Sequence, residues 1–291
     1  MKKILSNRQA IITGGSKGLG FEIAKQYVQS GADVMICGRN QYSVEQAQEK
    51  LISVATKDQK ICATVADVSL VDDVKRLVFE TKSRLGGCQI LVNNAGIYGP
   101  KGSIETIDWN DWIKAIEINI NGSVLMCREV IPDFKAQKYG KIIQLSGGGA
   151  TNPLPNISAY AVTKAAIVRF AETLAEELRS SGVDVNAIAP GALNTGMLDE
   201  IIMAGPEKVG VEFYNKSIKQ KEIGGSSLAR GAELAVFLAS SASDGITAKL
   251  ISALWDNWQN WPDNIAELDS TDAYTLRRIV GRDRDISWGD K

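Results

Sequence analysis

Short apolar runs alternate with longer amphipathic stretches along most of this chain. The runs RQAIITGG, ADVMICGR, KICATVADVS, QILVNNAG, GKIIQLSGGG and VDVNAIAPG predict six strands at residues 8–15, 32–39, 60–69, 89–96, 140–149 and 183–191. Between them, apolar positions recur with helical spacing at 19–31, 41–56, 71–85, 109–134 and around SAYAVTK at 158–164. Gly31 closes the first of these helices. Strands separated by helices of this length pair in parallel through right-handed crossovers. The expected architecture is therefore a single α/β domain with a doubly wound parallel sheet, its ligand at the carboxyl ends of the strands.

Two segments break the alternation. Residues 196–231 mix glycine, lysine and glutamate with isolated apolar residues (Met197, Ile201, Met203, Phe213, Tyr214) and read as an irregular excursion beside the strand ends, a candidate substrate lid. The catalytic domain is expected to span 1–254, followed by an extension over 255–291. That extension opens with Trp255, Trp258 and Trp261 at three-residue spacing, a stripe suited to packing on the body or on a neighbouring subunit. Further on, Arg277, Arg278, Arg282 and Arg284 are interleaved with Asp283 and Asp285. This reads as an ion-paired surface, or as arginines reaching an anionic substrate.

Composition removes several classes of function. Lys+Arg number 33 and Asp+Glu 34, a balance that argues against a nucleic-acid binder with a strongly basic face. The chain contains no histidine, which excludes Ser-His-Asp and Cys-His nucleophile systems and HExxH zinc sites. Proton transfer falls to tyrosine, lysine, carboxylates or water. Cys37, Cys62, Cys88 and Cys127 lack CxxC spacing and are expected to be reduced, buried thiols of a cytoplasmic protein. MKKILSNRQAIITGG has no sustained apolar core and is not expected to act as a signal peptide, and no apolar run reaches the ~20 residues of a membrane span.

The candidate chemistry lies in two motifs. TGGSKGLG follows the first strand and opens the first helix, with Gly14, Gly18 and Gly20 in GxxxGxG spacing. Such glycines permit tight turning and close backbone approach, and the helix N-terminus near Leu19 offers amides to a pyrophosphate. Tyr160 and Lys164 lie four residues apart on one helix face. An ammonium so placed favours phenolate and is expected to lower the tyrosine pKa, tuning it for acid/base work near neutral pH. At the end of the second strand, where an acidic residue would bind the ribose diol of NAD, stand Gly38, Arg39 and Asn40. Arg39 with Lys17, assisted by Ser16, suits a 2′-phosphate, so NADP(H) is the expected cofactor and NAD(H) the second choice.

Taken together, TGGSKGLG, Asp67-Val68, Asn93-Asn94-Ala95-Gly96, NING at 119–122, YAVTK and Pro190-Gly191 with Thr195 resemble the short-chain dehydrogenase/reductase family over residues 5–255. The resemblance implies a Rossmann-type fold and interconversion of a carbonyl and a secondary alcohol by hydride transfer. Tyr160 would be the general acid/base. Lys164 would hold the nicotinamide ribose, and Asn119 would anchor a relay water. Asp67 and Val68 would meet the adenine, Asn94, Ala95 and Gly96 would back the ribose, and Leu193 and Thr195 after Pro190-Gly191 would contact the carboxamide. A small-molecule substrate and a homodimer or homotetramer are also implied.

One departure matters. The family's polarising serine usually stands thirteen residues before the tyrosine, and here that position is Gly147. Either Ser146 enters the site through a shifted, glycine-rich loop, or Thr151, Asn152 or a water takes the role. Loss of such a donor costs ~100–1,000-fold in rate, so a cofactor-binding scaffold or redox sensor is the competing reading.

Overall fold

The computed structural model describes residues 3–286 and Trp288. Met1 and Lys2 of the N-terminal reading, and residues 287 and 289–291 of the expected extension, lie outside the described residues. Seven strands, β1 (Gln9–Thr13), β2 (Asp33–Gly38), β3 (Ile61–Val65), β4 (Ile90–Asn93), β5 (Gly140–Leu145), β6 (Val183–Ala189) and β7 (Leu250–Ser252), form one sheet. Their order is β3-β2-β1-β4-β5-β6-β7, and every pairing is parallel.

Alternation along each strand feeds two cores. Ile12, Ile36, Val92 and Ile143 face one side, packed under α1 (Gly18–Gln29), α2 (Gln41–Ile52) and α10 (Leu228–Ala239). Ile11, Met35, Leu91 and Ile142 face the other, under α3 (Val71–Leu85), α5 (Gly122–Ala136) and α6 (Ser158–Leu178). Burial on both faces explains why the strands read as near-continuous apolar runs. In α3, Val74, Leu77, Val78 and Leu85 make the buried stripe. Asp72 and Asp73 in its first turn and Lys82 and Arg84 in its last complement the helix dipole, and Gly86 (φ 92°) ends it.

Three details differ from the sequence expectation. A seventh strand joins the six expected: only Leu250–Ser252 pair with β6, too short a run to stand out. The segment 196–231 is not irregular but helical, forming α7 (Gly196–Ala204), α8 (Pro206–Val209), α9 (Val211–Ile223) and the start of α10. The helical stretch 109–134 is α4 (Trp109–Ile116) joined to α5 by one π-helical turn, Glu117–Asn121.

The chain after β7 is tied to the body. Trp258 and Trp261 are buried in the core beside α10, whereas Trp255 and Trp288 are exposed. The Lys249 ammonium is buried and donates to the carbonyls of Leu268, Thr271 and Ala273 at 2.7, 3.2 and 3.0 Å, beside the short helix α11 (Ile265–Ser270). Leu250 N–H donates to the Tyr274 carbonyl at 2.7 Å, closing the outer edge of β7. Glu172 of α6 accepts from Leu276 N–H at 2.6 Å and faces Arg277 at 3.7 Å. Arg277 therefore lies along α6, three turns beyond Tyr160, and not at the strand ends. Lys249→Met is expected to destabilise the fold by about 1–3 kcal/mol, the worth of charge-assisted buried bonds. Hydrogen exchange in 265–276 should rise selectively in that variant, and unchanged protection there would show that the lysine does not hold the segment.

Candidate active site

The glycine loop is shaped by its contact with the end of β4. Gly14 and Gly18 take φ of 62° and 57°, which side chains resist. A Cβ at Gly14 would lie 3.0 Å from Ala95 Cα, and one at Gly20 2.3 Å from the Asn94 amide nitrogen. That amide donates to the carbonyls of Thr13 and Gly14 at 3.0 and 3.1 Å. The Thr13 hydroxyl accepts from the Asn94 and Ala95 N–H groups at 3.0 and 3.1 Å. Thr13 opens the TGGSKGLG motif, but the spacing of the glycines assigns it no role; a threonine closing a strand just before a glycine pair is a usable signal for this contact.

The loop offers what a dinucleotide pyrophosphate requires. The first turn of α1 has no acidic residue and no side-chain cap from Lys17, so its amides remain free for an anion. The atoms nearest to a Cβ position at Gly18 are those of Thr195, at 3.5 Å. Leu19 offers only its backbone, because its side chain packs against Gly231. Pro190 closes over the same glycine, Gly191 (φ 95°) turns beneath Leu254, and Leu193 bridges to Ser226.

At the neighbouring strand ends, Asp67 accepts from the Ser69 hydroxyl at 2.6 Å and faces the Arg39 guanidinium at 4.0 Å. Val68 is buried against Gly122. The Ser16 hydroxyl sits 3.1 Å from a Cβ position at Gly38. An open cavity of about 410 Å³ adjoins it, lined by Ser16, Lys17, Phe21, Tyr42, Ser43, Gln46, Ala47 and Lys50. Tyr42, Gln46 and Lys50 recur every fourth residue on α2, a spacing that marks one helix face.

The second half of the site is built on α6. The Lys164 ammonium is buried, donates to the Leu145 carbonyl at 2.7 Å and lies 5.5 Å from the centre of the Tyr160 ring. Gly96 lets it approach: a Cβ there would fall 3.2 Å from Asn119 Oδ1 and 3.8 Å from Lys164 Nζ. Asn119 sits in the π-helical turn, a device frequent at functional sites. Its side chain is fully used, accepting from Ile97 N–H at 2.8 Å and donating to the Ile97 carbonyl and the Thr163 hydroxyl, both at 2.9 Å.

The electrostatics correct one expectation. Burial and the neighbouring Tyr98 phenol push the Tyr160 hydroxyl above its ordinary value of 10.0, so in this state the lysine does not pull it down. Burial instead lowers Lys164 to about 8. Desolvation prevails at both groups, and the ammonium spends its hydrogen bond on the Leu145 carbonyl. The Gly147 position is occupied by the tyrosine itself, since a Cβ there would lie 2.6 Å from the Tyr160 hydroxyl. Ser146 is buried, and its hydroxyl points to the Lys164 carbonyl at 3.5 Å. Thr151 and Asn152 are exposed and paired with each other at 3.1 Å. All four cysteines are free and buried, with Cys37, Cys88 and Cys127 raised to about 12 by burial. Among the described residues there is no cluster suited to a metal ion and no helix long and apolar enough to cross a membrane.

Comparison with known proteins agrees with this geometry. Residues 8–204 match the family model of the short chain dehydrogenases. The human dehydrogenase/reductase SDR family member 4 is 30% identical over 247 residues, 85% of this chain and 86% of that protein. A 3-oxoacyl-(acyl-carrier-protein) reductase of Chlamydia muridarum is 30% identical over 258 residues, 87% of this chain and 98% of the other. The crystal structure of levodione reductase superposes with a TM-score of 0.78 at 26% identity, covering 89% of this chain and 99% of that one. Sheet order, glycine loop and relatives make this an NAD(P)-dependent oxidoreductase acting on CH–OH and C=O groups. More narrowly, the chain belongs to the short-chain dehydrogenase/reductase family.

The lowered Lys164 pKa has a thermodynamic signature. Between pH 8 and 10.5 the unfolded lysine is protonated and the folded one is not, so its burial penalty is complete below about 8 and fades as pH rises. Relative to Lys164→Met, the wild type should gain about 3 kcal/mol of stability across that window. Denaturant unfolding of both proteins at several pH values checks this; parallel profiles would refute it.

Proposed function

We propose that the protein is an NADP(H)-dependent reductase that interconverts a small-molecule carbonyl and a secondary alcohol, with Tyr160 as general acid/base. The observation that carries this reading is the continuity of the strand-end surface. Ala95 touches the glycine loop at Gly14 while the next residue, Gly96, admits Lys164 to within 3.8 Å of its Cβ position. A pyrophosphate seat and a tyrosine–lysine pair thus share one four-residue loop.

When bound, the cofactor supplies or accepts the hydride. Gly14, Ser16, Lys17, Gly18 and Gly20, with the amide of Leu19, hold its phosphates. Asp67 and Val68 bound the adenine, Asn94, Ala95 and Gly96 back the ribose, and Pro190, Gly191, Leu193 and Thr195 flank the carboxamide. Lys164 holds the nicotinamide ribose through its hydroxyls. Asn119 fixes the loop at Ile97 and the helix at Thr163, keeping Tyr160 and Lys164 in register. The raised pKa of Tyr160 suits it to hold a proton and deliver it to an alkoxide formed at the substrate carbon. Ser146 reaches the substrate oxygen only by leaving the Lys164 carbonyl. Helices α7–α9 cover the site as a lid, with Ile201, Val209, Phe213 and Tyr214 packed over Tyr98 and Tyr160.

Lys17 and Lys50 lining the cavity beside Gly38, with Arg39 following Gly38 in the chain and facing Asp67, support the phosphorylated cofactor over NAD(H). The exposed Trp109, stacked on the partly buried Trp112, and the exposed Val162 support a homodimer or homotetramer. A second reading, a cofactor-binding scaffold or redox sensor, draws on Gly147 and the engaged Ser146 hydroxyl.

Consumption of NADPH should be measured over a panel of aldehydes, ketones, keto-sugars and ketoacyl thioesters. The expected outcome is turnover that falls roughly 100–10,000-fold in Tyr160→Phe. Tight NADPH binding with no turnover anywhere would favour the scaffold. Arg39→Asp should reduce the preference for NADPH over NADH roughly 10–150-fold, the worth of one charge-assisted bond. An unchanged ratio of kcat/KM values would remove Arg39 from cofactor selection.

A further inference from the structure

Gly147 leaves the substrate oxygen short of one hydrogen-bond donor, and the side chains nearest in sequence do not supply it. Ser146 is turned to the Lys164 carbonyl, and Thr151 and Asn152 are paired at the surface. A serine introduced at 147 would require Tyr160 to shift, because its Cβ would meet the Tyr160 hydroxyl at 2.6 Å. With Ser146 so turned, a second side-chain donor comes from a different element packed on Tyr160.

Tyr98 is such a group. Two residues after Gly96, it lies with its ring centre 4.6 Å from that of Tyr160, the planes tilted by 56°. It is only partly exposed and belongs to the apolar cluster of Leu154, Ile157, Phe213 and Tyr214 under the lid. Among the described residues its hydroxyl has no hydrogen-bond partner in the protein, whereas the buried Tyr27 hydroxyl donates to the Ala235 carbonyl at 2.9 Å. Burial and the Glu200 carboxylate raise the Tyr98 phenol to about 12, so it keeps its proton and stays a neutral donor.

Its seat is rigid on both sides. Ile97 is held by two hydrogen bonds to Asn119, at 2.8 and 2.9 Å. Gly99 (φ 73°) is pressed so closely on α4 and α6 that a Cβ would lie 2.8 Å from Ala115 Cβ and 3.3 Å from Ala159 Cβ. Ala159 is the residue before Tyr160. Lys101 lies 5.6 Å from the Tyr98 ring centre, held by the Gly99 carbonyl at 3.4 Å and by Glu200 of α7 at 3.3 Å. A donor fixed before the substrate arrives needs no reorganisation as charge develops on the oxygen, which is the condition for large electrostatic stabilisation.

We propose that Tyr98 is a second catalytic residue, donating a hydrogen bond to the same substrate oxygen that Tyr160 protonates and so replacing the side chain missing at Gly147. The inference rests on the reading of Tyr160 as general acid/base. Tyr98 keeps its own proton throughout: Tyr160 alone transfers one, and no bond to Tyr98 forms or breaks. The site would thus hold the developing alkoxide between two phenols, one from the loop after β4 and one from α6.

The test compares wild type, Tyr98→Phe and Tyr160→Phe on a carbonyl that the wild type reduces, with NADPH affinity read by fluorescence. Tyr98→Phe keeps the packed ring and removes only the hydroxyl. Its kcat should fall roughly 100-fold with the KM for the carbonyl little changed, because the lost bond matters chiefly in the transition state. NADPH affinity should stay at the wild-type value. A kcat within about twofold of wild type, beside an inactive Tyr160→Phe, would overturn this inference and leave the parent reading intact. A wild type that binds NADPH and reduces nothing would overturn both.

Discussion

Everything at the site depends on how closely β1 and β4 approach where the strand order reverses. The two strands are neighbours although three helices and two strands separate them in the chain. At their carboxyl ends the Asn94 amide fills the space where Gly20 lacks a side chain and pins the carbonyls of Thr13 and Gly14. Any larger residue at Gly20 would push the first helix off the sheet. The same contact orients the loop that continues through Gly96 to Ile97 and Tyr98. Phosphate seat and catalytic helix are thereby positioned by one short polar junction between adjacent strands.

The second constraint is electrostatic. Lys164 is buried on one carbonyl and no carboxylate, a state that desolvation opposes. Tyr160 lies among Tyr98, Leu154 and the lid, where ionisation is equally disfavoured. The pair is therefore held in a medium that weakens the charge of each. That medium also strengthens whatever polar contact a ligand brings. Stability given up at Lys164 is consistent with a residue kept for chemistry, since a hydrocarbon of similar shape would pack there with less cost.

Much of this is legible in the residues, for physical reasons that differ by element. Six strands announce themselves because burial on both faces makes them continuously apolar; β7 does not, because only Leu250–Ser252 pair and the flanking chain is mixed. The segment 196–231 reads as irregular because Gly205, Gly210 and Gly224, all at positive φ, cut it into pieces, of which α7 and α8 are short and α9 buries only Ser217 and so shows no apolar stripe. The glycine loop, Asn94, Tyr160 and Lys164 are legible from spacing, and the fold brings them to one surface. The direction of the Tyr160 pKa is not, since spacing specifies a neighbour and says nothing of how much water the fold removes. Tyr98 carries no motif; its importance appears only when the empty position at Gly147 is seen to lie against Tyr160.

The chain beyond β7 has a consequence for assembly. A parallel sheet ends in a strand whose outer row of amides and carbonyls is a template for another strand. Here Tyr274 answers Leu250 from within the same polypeptide, and the Lys249 ammonium gathers three carbonyls to keep that segment in place. The edge is spent internally. Copies of this protein that meet at this edge must do so through helices and side chains, and a chain cut short after Leu254 would uncover a sticky strand together with the apolar hollow that Trp258 and Trp261 fill. The terminal segment thus acts as a built-in guard against sheet-to-sheet aggregation.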